Sequence, residues 1–153
     1  MRFQTTGYNC GPNAVDNALE AYGEHYRDEE ATMRLCRTTS RGTGEIKIRE
    51  ALKKRRHKTR AWNTTDQDQA IDKLFNALIN GWPVILAVDR DEHWVAAMGV
   101  LGTEVIAVDS ENSYCNRERN GIHYYSRAQL LRRWRNKKGK YFGLVVFPRG
   151  YKG

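Results

Sequence analysis

The sequence is poor in cysteine and lacks a long hydrophobic run, and each shortage argues against a class of protein. Its three cysteines leave one unpaired after any pairing, which argues against a disulfide framework and for reduced surroundings. The chain has no apolar run of about eighteen residues or more, and its first residues do not resemble a signal peptide. These shortages predict a soluble protein, cytoplasmic by default, with no membrane span.

Several motifs of cofactor and metal chemistry are also missing. No cysteine and histidine spacing matches a zinc site, no Gly-x-Ser-x-Gly elbow is present, and the segment Gly42-Thr43-Gly44 is too short to hold a phosphate. We therefore predict neither a metal nor a cofactor. A chain of 153 residues can bury about 70% of the surface that its unfolded form exposes, so it needs no disulfide or metal cross-link to fold. The sequence shows no internal repeats and no linker. We expect one domain over residues 1–150 and a frayed tail over residues 151–153.

One pattern near the start of the chain points to nucleophilic chemistry: Gln4, then five residues, then Cys10-Gly11-Pro12. Apolar residues then recur at helical spacing as far as Gly23, which predicts an amphipathic helix that starts at Cys10. At such a start, unpaired backbone N–H groups and the positive end of the helix dipole favour a thiolate. Pro12 fits the first turn, where its missing N–H costs nothing. Cys10 is therefore the candidate nucleophile.

The residues beside Cys10 supply other parts of a thiol-based site. Gln4 is predicted to return its side-chain amide as an oxyanion donor, a contact whose loss typically costs about 10²- to 10³-fold in rate. Gly11 carries no side chain and is expected to leave room for a substrate carbonyl beside the sulfur. The alternative is that Cys10 is a small core residue and Gln4 an ordinary surface amide. Three matched elements at this spacing favour the catalytic interpretation.

His93 is the candidate base among the four histidines. His25 and His57 lie among charged residues and are predicted to be solvated, whereas His123 is either a strand-edge residue or a substrate contact. His93 follows the polar loop 89–92 and opens an apolar run long enough for a buried strand, which can hold it rigidly against a helix end. The alternative for His93 is a hydrogen-bonded histidine at a strand terminus.

Asp109 is the candidate that orients His93. Gly102-Thr103 predicts a hairpin turn between the strand that His93 opens and the strand that Asp109 closes. A plain two-residue turn would point Asp109 away from His93, because side chains alternate along a strand; an odd-length loop or a bulge would instead place Asp109 opposite Val95. We predict the loop or the bulge. A carboxylate there would fix the tautomer of His93 and stabilise its imidazolium, with Asn112 as the fallback.

The same register predicts how the sheet meets the first helix. It pairs Ala97 with Ala107 and Gly99 with Val105, which gives one face of mostly small side chains. We expect the first helix to pack closely on this face through its own alanines.

Three motifs together resemble a known family: Gln4-x5-Cys10-Gly11-Pro12, His93-Trp94-Val95 and Val108-Asp109. In order and spacing they look like the bacteriocin-processing, double-glycine-leader peptidases of the papain-like superfamily, over nearly the whole chain. The resemblance implies Cys10 as nucleophile, His93 as general base, Asp109 as orienting residue and Gln4 as oxyanion donor. It also implies a papain-like fold and a peptide or protein substrate. Family members often have proline after the aspartate, where this chain has Ser110.

The order of the predicted elements favours an α+β fold, with N-terminal helices packed on an antiparallel sheet, as in papain-like proteins. Helices are predicted near 11–22, 28–36, 46–56, 67–80 and 127–136. Strands are predicted near 58–62, 83–89, 93–101, 104–109, 122–125 and 141–147.

The charge balance leaves a second functional class open. Lysine and arginine number 26 against 18 acidic residues, a net charge of +8, with basic runs at 53–58 and 132–138. Such runs can bind nucleic acid or an acidic partner. The apolar spacing around the second run also predicts a helix that buries Leu130, Leu131 and Trp134 and leaves its arginines in solvent.

Two hypotheses therefore stand for the function. The first is a cysteine peptidase that cleaves an amide through an acyl-enzyme at Cys10, or an acyl transferase that uses the same residues. The second is a non-catalytic basic binding module on the same fold. Tyr8, Gly11, Trp94 and Asn112 are the candidates for contacting substrate.

Overall fold

The computed structural model describes all residues 1–153 and contains six α-helices and one six-stranded antiparallel sheet. The helices are α1 Cys10–Leu19, α2 Glu29–Leu35, α3 Glu45–Lys54, α4 Gln67–Ile79, α5 Tyr114–Glu118 and α6 Arg127–Trp134, and a 3₁₀ turn at Glu20–Tyr22 follows α1. The strands are β1 Thr59–Thr64, β2 Val84–Val88, β3 His93–Leu101, β4 Glu104–Val108, β5 Ile122–Tyr125 and β6 Tyr141–Val146.

Local sequence signals begin and end several of these helices. Asp28 and Asp66 accept hydrogen bonds from the first backbone N–H groups of α2 and α4, and Ser126 forms a reciprocal capping box with Gln129 at α6. The turn after α1 ends at Gly23, whose φ of 72° lies in the left-handed region, as expected of a glycine stop.

The sheet has the strand order β1-β6-β2-β3-β4-β5 and is covered on both faces. On one face, buried residues of α1 and α3 form a hydrophobic cluster that includes Ile85 and Ala96 of the sheet. On the other face, Leu74 of α4 and Trp134 of α6 belong to a cluster that includes Val95. The predicted α+β fold, with N-terminal helices on an antiparallel sheet, is confirmed, and α4 and α6 add a third layer.

The hairpin between β3 and β4 contains the predicted irregularity. Leu101 lies opposite Glu104, so the connection is the two-residue turn Gly102-Thr103, and the register shifts between Ala97 and Gly99. The odd residue is therefore a bulge within β3 and not a longer loop. A bulge bends the strand and re-aims the side chains beyond it.

The bulge brings Asp109 to the side of the sheet that the sequence predicts. Past it, the pairing continues so that Asp109 follows β4 beside Val95, on the face that His93 shares. The predicted pairing of Ala97 with Ala107 is confirmed.

Two details of that register were wrong. Gly99 lies opposite Ile106 and not Val105, because the bulge comes before Gly99 and shifts the rest of the hairpin by one residue. The sheet face that α1 covers also differs from the prediction. Ala97 belongs to the cluster that includes α4, whereas α1 packs on the opposite face, around Ala96. Neighbouring residues of a strand point to opposite faces, so the small-residue face that we expected under α1 is covered by α4 and α6.

Two further features differ from the sequence prediction. The short helix α5 was not predicted, and the tail does not fray at Tyr151. The Tyr151 ring stacks on Phe147 with 4.1 Å between centroids and meets Trp82 edge-on at 5.3 Å. None of the helices has the length and apolar character that crossing a membrane requires.

Candidate active site

Three elements bring the candidate catalytic residues to one end of the sheet. Cys10 is the first residue of α1, His93 is the first residue of β3, and Asp109 follows β4 directly. Because β3 and β4 run antiparallel, the start of one and the end of the other lie at the same edge. All three are largely covered: Cys10 is 4% exposed, and the side chains of His93 and Asp109 are 13% and 3% exposed.

His93 lies between the other two residues. Its Nε2 is 2.7 Å from Oδ1 of Asp109, so Nδ1 is the ring nitrogen left for the Cys10 sulfur. Burial lowers the pKa of His93, but hydrogen bonds to Asp109 and Cys10 and the negative charges of both outweigh it and raise the pKa to about 10. The Asp109 carboxylate and the neighbouring Cys10 thus favour the protonated form of the His93 ring.

Each oxygen of the Asp109 carboxylate has a donor. Oδ1 accepts from Nε2 of His93 and from the backbone N–H of Glu111 at 2.9 Å, and Oδ2 accepts from Nη2 of Arg133 at 2.9 Å. Burial raises the pKa of Asp109, but its hydrogen bond to His93, the charge of that ring and these other donors hold the pKa well below its ordinary value. The carboxylate is thus fixed in orientation and charged.

Gln4 is buried and held at both ends of its side chain. Its Oε1 accepts from the hydroxyl of Ser110 at 2.9 Å, and its Nε2 donates to the carbonyl oxygen of Thr6 at 2.8 Å. A backbone hydrogen bond of 2.7 Å from Gln4 N to the Ser110 carbonyl fastens the N-terminal segment to the residue after Asp109. The amide has two hydrogens, so one remains for another acceptor.

A cavity of about 590 Å³ opens beside His93 and Gln4. Its wall contains no hydrophobic side chain and includes the carboxylates of Asp89, Glu92 and Glu111. Asn112 lies in this wall and is exposed, and it is not the partner of His93. The polar lining makes this cavity a place for backbone or polar groups of a ligand.

Gly11, the residue after Cys10, is tightly packed. A Cβ atom at Gly11 would lie 2.9 Å from Cβ of Thr43 and 3.5 Å from Cδ1 of Trp94. The Trp94 indole donates to the carbonyl oxygen of Thr43 at 2.8 Å. The space that a side chain at position 11 would occupy is therefore filled by Thr43. Tyr8 is half-buried two residues before Cys10.

Residues 1–142 match the family described as the Peptidase_C39 like family. The chain belongs to this family. It is thus a cysteine peptidase of the papain-like kind, and the resemblance inferred from the motifs is confirmed. A comparison with curated proteins found no match.

Solved structures confirm the fold of this Peptidase_C39-like chain. The peptidase domain of Streptococcus ComA, a bi-functional ABC transporter involved in a quorum-sensing pathway, is 21% identical with a TM-score of 0.73, over 96% of each chain. A double glycine motif protease from an AMS/PCAT transporter, solved in complex with the leader peptide, is 15% identical with a TM-score of 0.70, over 95% of this chain and 89% of the other. The peptidase domain of Streptococcus mutans ComA is 20% identical with a TM-score of 0.64, over 97% and 98%.

The remaining histidines of this Peptidase_C39-like chain lie away from Cys10. His25 is exposed as predicted, and His123 lies on the edge strand β5, where Nε2 contacts Oδ1 of Asn116 at 2.6 Å. The prediction for His57 was wrong: its ring is buried, with contacts of 2.6 Å to Oε2 of Glu24 and 2.8 Å to the carbonyl oxygen of Phe147. His57 was predicted to be solvated because it lies within a run of basic residues, and nothing in that run indicates a buried histidine.

The other cysteines differ from Cys10 in surroundings. Cys36 is buried, and burial together with the charge of Asp16 raises the pKa of its thiol to about 12. Cys115 is exposed on α5. Neither has a histidine partner comparable to that of Cys10.

Sequence reasoning missed Arg133 as a residue of the site. Leu130 and Trp134 are buried as predicted, but Arg133 is not solvated: its guanidinium contacts the carboxylates of Asp109 and Asp89. Arg133 stands in a run of basic residues, and nothing in that run distinguishes it from its neighbours. Ser110, the partner of Gln4, was likewise not predicted.

Proposed function

We propose that this protein hydrolyses a peptide bond through an acyl-enzyme at Cys10, with His93 as the proton carrier, Asp109 as its orienting residue and Gln4 as an oxyanion donor. The observation that best supports this proposal is the contact between Nε2 of His93 and the Asp109 carboxylate. Cys10 also raises the pKa of the same ring, which indicates that the sulfur lies close to it. A thiolate and an imidazolium side by side are the resting form of a thiol peptidase.

The first half of the reaction forms the acyl-enzyme. The Cys10 thiolate attacks the carbonyl carbon of the scissile bond, and the new S–C bond places a negative charge on the carbonyl oxygen. When the C–N bond breaks, His93 gives its proton to the leaving amine, which departs as the C-terminal fragment with a new free amino terminus, while the N-terminal fragment stays on the sulfur as the acyl group. The raised pKa of His93 favours the protonated ring that this step requires.

The second half of the reaction hydrolyses the acyl-enzyme and regenerates the free enzyme. Neutral His93 takes a proton from water as the water oxygen attacks the thioester carbon. Collapse of this intermediate breaks the S–C bond, releases the carboxylate product and restores the thiolate with the imidazolium. An amine acceptor in place of water would make the same site an acyl transferase, so a peptide product with a new amide would identify transfer.

The oxyanion needs donors that are fixed before the reaction. We infer that the second hydrogen of the Gln4 amide and the backbone N–H groups at the start of α1 are these donors. Because the Gln4 side chain is buried and held by Ser110 and Thr6, it does not have to reorganise when the charge forms.

A peptide is the substrate class that the family membership and the cavity support. The AMS/PCAT protease was solved with a leader peptide, and we propose a peptide carrying a Gly-Gly site as the first substrate to test. The polar cavity beside His93 offers groups to the backbone of an extended peptide and offers no apolar pocket there.

Covalent labelling tests the proposal. Peptide mapping after a timed reaction with iodoacetamide is expected to show Cys10 modified much faster than Cys115 and Cys36, since only Cys10 is paired with an imidazolium. The variant His93→Ala, which keeps all three thiols, is expected to lose this difference. Equal rates for Cys10 and Cys115 in the unaltered protein would refute the assignment.

A further inference from the structure

The strongest feature outside the proposed triad is the guanidinium of Arg133 on α6. Its Nη2 donates to Oδ2 of Asp109 at 2.9 Å and to Oδ2 of Asp89 at 2.8 Å, its Nε donates to Oδ1 of Asp89 at 2.9 Å, and its Nη1 donates to the hydroxyl of Tyr125 at 2.7 Å. The Arg133 side chain is only 21% exposed. The Arg133 guanidinium thus links Asp109, which contacts His93, to a second carboxylate, Asp89, and to Tyr125 on the edge strand β5.

Asp89 begins the turn from which His93 emerges. Three consecutive non-glycine residues of this turn, Asp89, Arg90 and Asp91, have positive φ angles of 53°, 61° and 67°. Left-handed conformations are costly for residues with a side chain and persist where the surroundings hold them. The strained turn ends at Glu92, next to His93, so its position determines where the imidazole lies.

The holding contacts come from α6 and the residues after it. The backbone N–H of Asp89 donates to the carbonyl oxygen of Arg133 at 3.0 Å, in addition to the bidentate contact between their side chains. Nδ2 of Asn136 donates to Oδ2 of Asp91 at 2.9 Å. The turn is therefore fastened at both ends, with Arg133 supplying three of the four contacts.

The charges around Arg133 explain why a plain cation would not replace it. Two carboxylates, the buried Asp109 and the more exposed Asp89, converge on its guanidinium, and without a cation between them they would repel each other. A guanidinium has a rigid fork of donors that can serve both carboxylates and a hydroxyl at once, whereas an ammonium is a single point charge. The other titratable groups around Asp109 and Arg133 are His93, Glu111, Cys115, Arg119, His123 and Tyr125.

We propose that Arg133 is a positioning residue of the site: it fixes the Asp109 carboxylate towards His93 and holds the strained Asp89–Glu92 turn that sets the place of the imidazole. This inference rests on the proposed function of Cys10 and His93. It assigns no contact between Arg133 and substrate. Arg133 acts only through Asp109 and the turn.

The experiment measures the second-order rate of Cys10 alkylation by iodoacetamide from pH 4 to pH 10, by peptide mapping, in the full chain. The variants are Arg133→Met and Arg133→Lys, and Arg132→Met is the matched control, because Arg132 is an exposed arginine on the same helix. Labelling of buried Cys36 in the same samples reports any opening of the fold.

In Arg133→Met we expect the rate at neutral pH to fall about tenfold or more, a part of the ~10²- to 10⁴-fold benefit that a positioned acid–base group typically provides. We also expect the acid limb of the profile to move to higher pH, since a mobile Asp109 stabilises the imidazolium–thiolate pair less well. Arg133→Lys should lie between Arg133→Met and the unaltered protein, and Arg132→Met should match the unaltered protein.

The outcomes separate the two proposals. If Cys10 of the unaltered protein is no faster than Cys115, the proposed function fails and this inference falls with it. If Cys10 is fast and the Arg133→Met profile is unchanged while Cys36 stays unlabelled, only the role of Arg133 is refuted. Should Arg133→Met unfold, Arg133→Lys and Asp89→Asn decide the matter, because both keep more of the contacts; unchanged profiles in both would overturn the inference.

Discussion

The protonation state of His93 is the residue-scale property on which the chemistry depends. Burial alone would favour the neutral ring, yet the Asp109 carboxylate and Cys10 together reverse this and raise the pKa of His93 to about 10. The result is a ring that carries its proton before substrate binds. In the mechanism that we propose, this ring delivers that proton to the leaving amine and takes one from water afterwards.

Removing the sulfur should change the titration of His93. In Cys10→Ala we expect the pKa of His93 to fall, because the hydrogen bond and the negative charge of Cys10 are two of the causes that raise it, while the contact with Asp109 remains. NMR titration of the imidazole Cε1–H signals in the two proteins measures the change. The exposed His25 serves as an internal reference, and a His93 pKa equal in both proteins would show that Cys10 does not contact the ring.

The same raised pKa predicts how His93 contributes to stability at different pH values. A group with a raised pKa in the folded state stabilises fully below its unfolded value of 6.5, and this contribution is lost as the pH rises towards about 10. The difference in unfolding free energy between the unaltered protein and His93→Gln should therefore shrink from pH 6.5 to pH 10. Urea unfolding at several pH values tests this, with His25→Gln as control; a difference that grows over this range contradicts the assignment.

At the scale of single elements, the start of α1 is positioned by close contact with the segment before α3. Gly11 meets Thr43, whose hydroxyl oxygen lies 2.7 Å from that of Thr38 and whose carbonyl oxygen accepts from Trp94. Because Thr43 is held on two sides, it has little freedom to move away from α1. Any side chain at position 11 would push against a fixed neighbour.

Gly11→Ala should for this reason destabilise the protein, although alanine is the better helix former by about 1 kcal/mol. Overpacking typically costs about 1–3 kcal/mol, and the displaced helix start should also slow the labelling of Cys10. Thermal unfolding measures the first effect and peptide mapping the second. The double variant Gly11→Ala/Thr43→Gly should recover part of both losses. Gly7→Ala, where a Cβ atom meets nothing within 4 Å, is the control.

The elements show which parts of the site the sequence can predict. The apolar spacing after Cys10 predicted α1, and the need for His93 and Asp109 to share a face predicted either an odd-length loop or a bulge, which propensity alone would not reveal. The position of the bulge within β3 was not predictable, because a longer turn would satisfy the same demand. α5 was missed because its five residues, Tyr114–Glu118, carry no apolar periodicity.

At the scale of the whole molecule, long-range polar contacts decide what the basic runs do. Arg55 from the first run is buried against Asp16 at 2.6 Å, with its guanidinium 3.6 Å above the Tyr26 ring, and Arg133 from the second contacts Asp109. These partners are distant in sequence, so charge counting could not identify them. The binding-module hypothesis therefore loses some of the cations on which it relied.

His57 is the residue that most clearly ties distant parts of the chain together. It connects Glu24 after α1 with the Phe147 carbonyl after β6, and its ring stacks on Tyr22 at 5.4 Å between centroids. His57→Ala would remove the hydrogen-bond partner of the buried Phe147 carbonyl and of the partly buried Glu24 carboxylate, which should cost about 1–3 kcal/mol in unfolding free energy. Urea unfolding followed by tryptophan fluorescence measures the loss. His25→Ala, at an exposed position, should change stability by less than about 0.5 kcal/mol, and equal effects of the two would contradict the role of His57.

The measurement that tests the central claim most directly is a crystal structure of the protein after reaction with a peptide aldehyde that ends in Gly-Gly. We predict one S–C bond, between the Cys10 sulfur and the aldehyde carbon. The resulting oxygen should lie within hydrogen-bond reach of Gln4 Nε2, and His93 should stay between Cys10 and Asp109. An adduct on Cys115 instead, or a His93 ring turned away from the Cys10 sulfur, would contradict the account.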